Sequence, residues 1–124
     1  KASNTQPDYG FGFFVSLADD GNTLAVGSPW ESSIATGVNG NQSDMTAVES
    51  GSVYLFERSG TAWSQHSYVK ANNTRANAQF AMTALSGDGL SLAVGASGEA
   101  SGSAGINSDP NDTSLPDAGA VYVY

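Results

Sequence analysis

An eight-residue stretch, Asp20-Gly21-Asn22-Thr23-Leu24-Ala25-Val26-Gly27, returns 68 positions later as Asp88-Gly89-Leu90-Ser91-Leu92-Ala93-Val94-Gly95. The same offset carries Gly51-Ser52-Val53-Tyr54-Leu55-Phe56 onto Gly119-Ala120-Val121-Tyr122-Val123-Tyr124. Residues 13–56 align with 81–124 without gaps at 15 identities. Before Phe13 the offset becomes 69, so that Lys1-Ala2 matches Lys70-Ala71, Asn4-Thr5 matches Asn73-Thr74, and Phe11 matches Phe80. A repeat of this period dominates every other signal, because each unit buries its apolar face against a neighbour and not within itself. The 124 residues therefore count repeats: the tail of one unit, a full unit of about 68 residues, and most of another.

Within each unit the signals are those of strands. Phe11 to Leu17, Thr23 to Gly27, Gly51 to Glu57 and Ala62 to Lys70 are short and rich in β-branched or aromatic residues. Asp19-Asp20-Gly21-Asn22, Ser86-Gly87-Asp88-Gly89 and Ser59-Gly60-Thr61 read as the turns between them. The second unit repeats three strands, at about 80–86, 91–95 and 119–124, and has no fourth. Leu24-Ala25-Val26 and Val53-Tyr54-Leu55-Phe56 are continuous apolar runs, which suit strands covered on both faces. Ala62 to Val69 alternates, as an outer strand with one wetter face does. The expected fold is all-β: two tandem propeller-type blades of antiparallel strands, about seven strands in all, the second blade incomplete. Residues 1–10 read as the tail of a preceding blade and a linker, 11–70 as blade 1 with a long loop at 28–50, 71–79 as a linker, and 80–124 as blade 2 with its long loop at 96–118.

Charge narrows the function. Twelve acidic residues face four basic ones, a net charge of −8, and Lys1, Arg58, Lys70 and Arg75 do not cluster. A nucleic-acid surface, which draws its affinity from grouped Lys and Arg, is excluded on that pattern. No stretch of about 18 apolar residues is present to cross a membrane as a helix. The chain has no cysteine, which removes disulfides and thiolate metal sites.

Phe11-Gly12, Leu24-Ala25-Val26-Gly27-Ser28-Pro29 and Gly51-Ser52-Val53-Tyr54-Leu55-Phe56, spaced in this order, resemble the FG-GAP repeat. That repeat is the blade unit of integrin alpha-subunit propellers and of many bacterial surface and secreted proteins. In the second copy Phe80-Ala81 stands for Phe-Gly and Gly95-Ala96-Ser97 for Gly-Ala-Pro. The resemblance implies a β-propeller, an extracellular or cell-surface setting, a role in adhesion or ligand binding, and no catalysis. Many such blades hold calcium in an Asp-x-Asp-x-Asp-Gly loop between their first two strands. Ala18-Asp19-Asp20-Gly21-Asn22 and Ser86-Gly87-Asp88-Gly89-Leu90 are too short and too poor in oxygen for that loop, so Asp20 and Asp88 read as turn residues.

The long loops carry a different candidate. Asn39-x-Asn41-x-x-Asp44 recurs as Asn107-x-Asp109-x-x-Asp112, opened by Glu31 and Glu99 and closed by Glu49 and Asp117. A hard cation such as Ca²⁺ takes six to eight oxygens from such an inventory. The same residues also build Asx turns that bond only their own backbone. His66 is the one histidine and has no acid beside it in the sequence, so a surface or packing role is expected of it. Trp30 and Trp63 are candidates either for blade packing or for a sugar platform.

Two functional classes follow. In the first, the chain is an extracellular structural or adhesive module that assembles with adjacent repeats or copies of itself. Two blades cannot close a ring, and the strand ending in Val121, Tyr122, Val123 and Tyr124 exposes an edge that recruits another strand. Three chains make a six-bladed ring, while non-closing head-to-tail addition makes a filament. In the second class, the module is lectin-like and binds a cell-surface glycan through Trp30, Trp63 or loop polar groups.

Overall fold

The computed structural model describes all 124 residues and contains seven strands and no helix. They are β1 (Phe14–Leu17), β2 (Thr23–Ser28), β3 (Ser52–Ser59), β4 (Ala62–Val69), β5 (Phe80–Leu85), β6 (Leu92–Ala96) and β7 (Ala120–Val123). They form two antiparallel sheets in strict meander order, β1-β2-β3-β4 and β5-β6-β7. The turns do what their residues dictate. Asp20 accepts the Asn22 N–H at 2.9 Å and Gly21 takes φ +68°, while Asp88 accepts the Leu90 N–H at 3.1 Å and Gly89 takes φ +71°. Gly60, at φ +62°, closes the β3–β4 hairpin.

The repeat explains how the sheets stack. Residues directly opposite in an antiparallel pair share a face. In sheet 1, Leu17, Leu24 and Phe56 are aligned, as are Val15, Val26 and Tyr54. The opposite face carries Ala25 and Leu55, and Val53 with Val69. That second face packs on sheet 2. Ala25, Val53 and Val69 form one buried cluster with Phe80, Leu92, Val94 and Ala96, and Leu55, Leu85, Tyr122 and Tyr124 pack against it. Removing each of the Val, Leu and Phe side chains from water contributes about 1.5–3 kcal/mol. The sheets approach most closely at Gly27, where an added Cβ would run into the Ala81 carbonyl oxygen.

Two strands differ from their sequence reading. β1 begins at Phe14 and not Phe11, because Gly10 and Gly12 adopt φ +66° and +96° and turn the chain before it. Phe11 leaves the strand and packs edge-on against Tyr54 and Phe56, with ring centroids 5.4 and 6.0 Å away. β4 does not alternate: its first half is largely exposed and Ser67 to Val69 are buried. The long loop causes this. The Asn39 N–H donates to the Tyr68 carbonyl at 2.7 Å, the Lys70 N–H donates to the Gly37 carbonyl at 2.8 Å, and Val38 bridges Val69.

Candidate functional site

Each long loop is pinned at its root by a buried glutamate. Glu31 and Lys70 are fully buried, and the Lys70 ammonium donates to Glu31 Oε2 at 2.8 Å and to Ser50 Oγ at 2.7 Å. Glu31 Oε1 accepts Asn4 Nδ2 and the Ser33 N–H, both at 3.1 Å. Asn4 Oδ1 in turn accepts the Tyr54 hydroxyl at 2.6 Å. Burial pushes the Lys70 ammonium below the usual lysine range, and the Glu31 carboxylate opposes that shift. Burial also drives the Tyr54 and Tyr68 phenols well above their usual range. Tyr68 Oη has no hydrogen-bond partner in the protein.

The second repeat rebuilds this root with the same residue types, Glu, Asn, Ser and Tyr. Glu99 Oε1 accepts Asn73 Nδ2 at 3.1 Å, Glu99 Oε2 accepts the Ser101 N–H at 2.9 Å, and Asn73 Oδ1 accepts the Tyr122 hydroxyl at 2.6 Å. The Glu31 carbonyl accepts the Gly51 N–H and the Glu99 carbonyl the Gly119 N–H, both at 2.9 Å. What differs is the cation. Arg75 Nη1 lies 4.0 Å from Glu99, and its guanidinium donates to the carbonyls of Pro110 and Asp112.

The oxygens considered for calcium do not converge. Asn39 Oδ1 accepts the Tyr68 N–H, and Asn41 Oδ1 accepts the Ser43 N–H. Asp44 Oδ1 accepts from Thr46, Asp109 Oδ1 from the Asn111 N–H, and Asp112 from Gly102, Ser103 and Ser114. No group of three or more His, Asp and Glu side chains is arranged to hold a metal ion. Glu31 and Glu99 lie at the loop roots, held by Asn4 and Asn73, and Asn107 sits at φ +55° as Asn39 does at +58°.

The aromatic candidates separate as well. Trp30 packs edge-on against Phe13, centroids 5.1 Å apart, and lines a shallow cleft with Asp8, Tyr9, Ser32 and Glu49. Trp63 is half exposed, on the outer part of β4, with the Arg58 guanidinium 5.8 Å above its ring. His66 is exposed; its Nδ1 lies 2.8 Å from the Ser67 hydroxyl and its Nε2 3.9 Å from Glu57.

Two surfaces remain open. One is the edge of β7. Leu92 and Tyr124 exchange N–H···O bonds of 3.0 and 2.9 Å, so the alternation of an antiparallel ladder turns the N–H and C=O groups of Val121 and Val123 outward. The other is a pair of sheet faces. Leu17 and Val15 of sheet 1 are 56% and 64% exposed, and Val121 and Val123 of sheet 2 are 72% and 75% exposed. Asn4, Asn73, Lys70 and Tyr54 were not singled out from the sequence as site residues, although Asn4 and Asn73 matched across the repeat. Comparison of the chain with protein families, curated proteins and solved structures finds no match.

Proposed function

We propose that this chain is a structural or adhesive repeat module that joins other repeats or copies of itself head to tail, through sheet faces that complement one another. One observation carries this reading. Leu17, Leu24 and Phe56, on the outward face of sheet 1, are the repeat equivalents of Leu85, Leu92 and Tyr124, which pack on sheet 1. Ala93, Val121 and Val123 on the free face of sheet 2 are the equivalents of Ala25, Val53 and Leu55, which receive them. The two sheets therefore present a knob-like face and its matching receptor face. Such a contact is heterologous, and successive copies produce a ring if the rotation closes and a filament if it does not. The resemblance to FG-GAP blades supports an extracellular, adhesive setting for such an array, and no chemistry is required of it.

The chain contains no cysteine, which makes the test direct. Leu24→Cys and Val121→Cys chains are mixed and mildly oxidised. Head-to-tail stacking predicts that mixed disulfide dimers outnumber like-with-like dimers. A statistical mixture, or an excess of like pairs, contradicts it.

A second reading, glycan binding, is favoured by the cleft beside Trp30, where an indole sits near Asp8, Tyr9 and Glu49. Saturable binding on a glycan array that Trp30→Ala removes and Trp63→Ala does not would support it; a blank array opposes it.

A further inference from the structure

The Lys70 ammonium and the Asn4 carboxamide meet on one carboxylate. Lys70 Nζ lies 2.8 Å from Glu31 Oε2, and Asn4 Nδ2 donates to Glu31 Oε1 at 3.1 Å. The Ser33 N–H on Oε1, at 3.1 Å, and Ser50 Oγ on the ammonium, at 2.7 Å, fix both ends of this relay. The Tyr54 hydroxyl donates to Asn4 Oδ1 at 2.6 Å, and the Gln42 carbonyl accepts Asn4 Nδ2 at 3.1 Å. Lys70, Glu31 and Tyr54 are fully buried, and Tyr68 packs over Tyr54 with ring centroids 5.3 Å apart.

An ion pair alone needs no amide at its side. The four groups together are the parts of an acyl-transfer site. Lys70 is a nucleophile, and burial favours its neutral amine. The Asn4 amide carbon is the electrophile. Glu31 is within hydrogen-bond reach of both the attacking and the leaving nitrogen, as a proton carrier must be. Tyr54 donates to the oxygen on which negative charge develops. Repeat 2 keeps Asn73, Glu99 and Tyr122 in these contacts but sets Arg75 beside the glutamate, and a guanidinium stays protonated and does not attack.

We propose that Lys70 and Asn4 are the partners of an intramolecular isopeptide bond, made by the folded chain itself with Glu31 as proton carrier. The Lys70 ammonium passes one proton to Glu31 Oε2, and the freed lone pair attacks Asn4 Cγ. The carbonyl electron pair moves onto Oδ1, where the Tyr54 hydroxyl stabilises it. Glu31 then protonates Nδ2 and takes a second proton from Nζ. The electron pair returns from Oδ1, the Cγ–Nδ2 bond breaks, and ammonia leaves. The products are an Nζ–Cγ amide, one ammonia and a neutral Glu31. Asn4 is only partly buried, which gives the ammonia a path to solvent. The bond ties the segment before β1 to the end of β4, in a chain that has no cysteine for a disulfide. A link of this kind constrains the unfolded chain as a disulfide does. It lies within one chain and does not rest on the assembly reading. Until it forms, the ion pair alone holds the site.

The intact mass of the purified, folded chain is followed until it is constant, and the end point is digested with trypsin and mapped by tandem mass spectrometry. The expected result is a mass lower than that of the sequence by one ammonia. With it comes a branched peptide in which residues 2–58 and 59–75 are joined through Asn4 and Lys70, with no cleavage after Lys70. Asn4→Ala, Lys70→Met and Glu31→Gln chains each keep their full mass. The parent result needs no variant, and Asn4→Ala keeps the buried ion pair, so a misfolded Glu31→Gln chain does not remove the test. A folded parent that holds its full sequence mass overturns the proposal. An ammonia loss that leaves Lys70 cleavable marks a succinimide at an asparagine and also overturns it, as does a loss of water, which places the bond on Glu31. A cross-linked Glu31→Gln chain contradicts the role given to Glu31.

Discussion

The Lys70 ammonium lies 2.8 Å from the Glu31 carboxylate, and both side chains are fully buried between the end of β4 and the root of the first long loop. The pair closes the loop onto the sheet at a position where neither charge reaches water. Removing one partner strands the other, at a cost of about 3–5 kcal/mol, whereas replacing both by neutral groups of similar volume costs far less. Glu31→Gln is therefore expected to lower the urea midpoint sharply. Glu31→Gln combined with Lys70→Met is expected to recover most of the loss. Equal losses in single and double variants would show that the two charges do not compensate one another.

Gly27 and Gly95 are repeat equivalents in different surroundings. A Cβ at Gly27 collides with the Ala81 backbone, while one at Gly95 meets only the flexible Met82 side chain, with Cε at 2.8 Å. Gly27→Ala is expected to cost about 1–3 kcal/mol, the range for overpacking a rigid contact. Gly95→Ala is expected to stay within about 0.5 kcal/mol of the parent. Chemical denaturation of the two variants checks this, and equal effects would contradict the assigned sheet stacking.

The strands were legible in the sequence because Asp-Gly turns and continuous apolar runs recur at one offset, and all seven were placed within a few residues. The loop chemistry was not. Oxygen-bearing side chains that ligate a cation and those that cap their own backbone are the same residue types, and spacing does not separate them. Glu31 and Glu99 recur as the buried acceptors of Asn4 and Asn73 at the loop roots. The recurrence of Asn4 as Asn73 and Tyr54 as Tyr122 was the available signal, but the contacts span 26 to 50 residues and have no local pattern. Trp63, assigned to packing or sugar binding by its size, lies half exposed because β4 extends past the loop that covers its other end.

Hydrogen bonds from Thr46 to Asp44, Ser114 to Asp112, Ser86 to Asp88 and Asn22 to Asp20 hold these carboxyls below their ordinary range. The unfolded chain therefore takes up protons first as pH falls. Their stabilising effect is complete above about pH 5 and is lost progressively below about pH 4. The urea midpoint is expected to be level from neutral pH to that point and to fall beneath it. A midpoint that stays level into stronger acid contradicts these assignments. Because the loop oxygens already accept hydrogen bonds from within the protein, millimolar calcium is expected to leave the unfolding temperature where EDTA does. A calcium-specific rise would contradict the loop assignment, since a metal bound only by the native state raises it.

All five tyrosines are pushed above the usual phenol range by burial, Tyr124 to about 12 with Tyr122 adding to the shift. Their raised values favour the neutral form in the folded chain, so this stability is present below about pH 10 and is lost as pH rises through the folded values. Tyrosinate absorbance is expected to lag in the native protein and to follow a simple curve near pH 10 in urea. Coincident native and urea curves would contradict the burial of these rings.

Sedimentation equilibrium of the unmodified chain, beside Gly95→Ala, tests head-to-tail assembly most directly. Gly95 is the repeat equivalent of Gly27 on the free face of sheet 2, where only the flexible Met82 side chain lies over it, so a methyl group there blocks the approach of a next sheet's backbone and leaves the fold intact. The predicted result is an average mass that climbs above the monomer with concentration for the parent and stays at the monomer for Gly95→Ala. A folded parent chain that remains monomeric at every concentration, or a Gly95→Ala chain that assembles equally well, would contradict it.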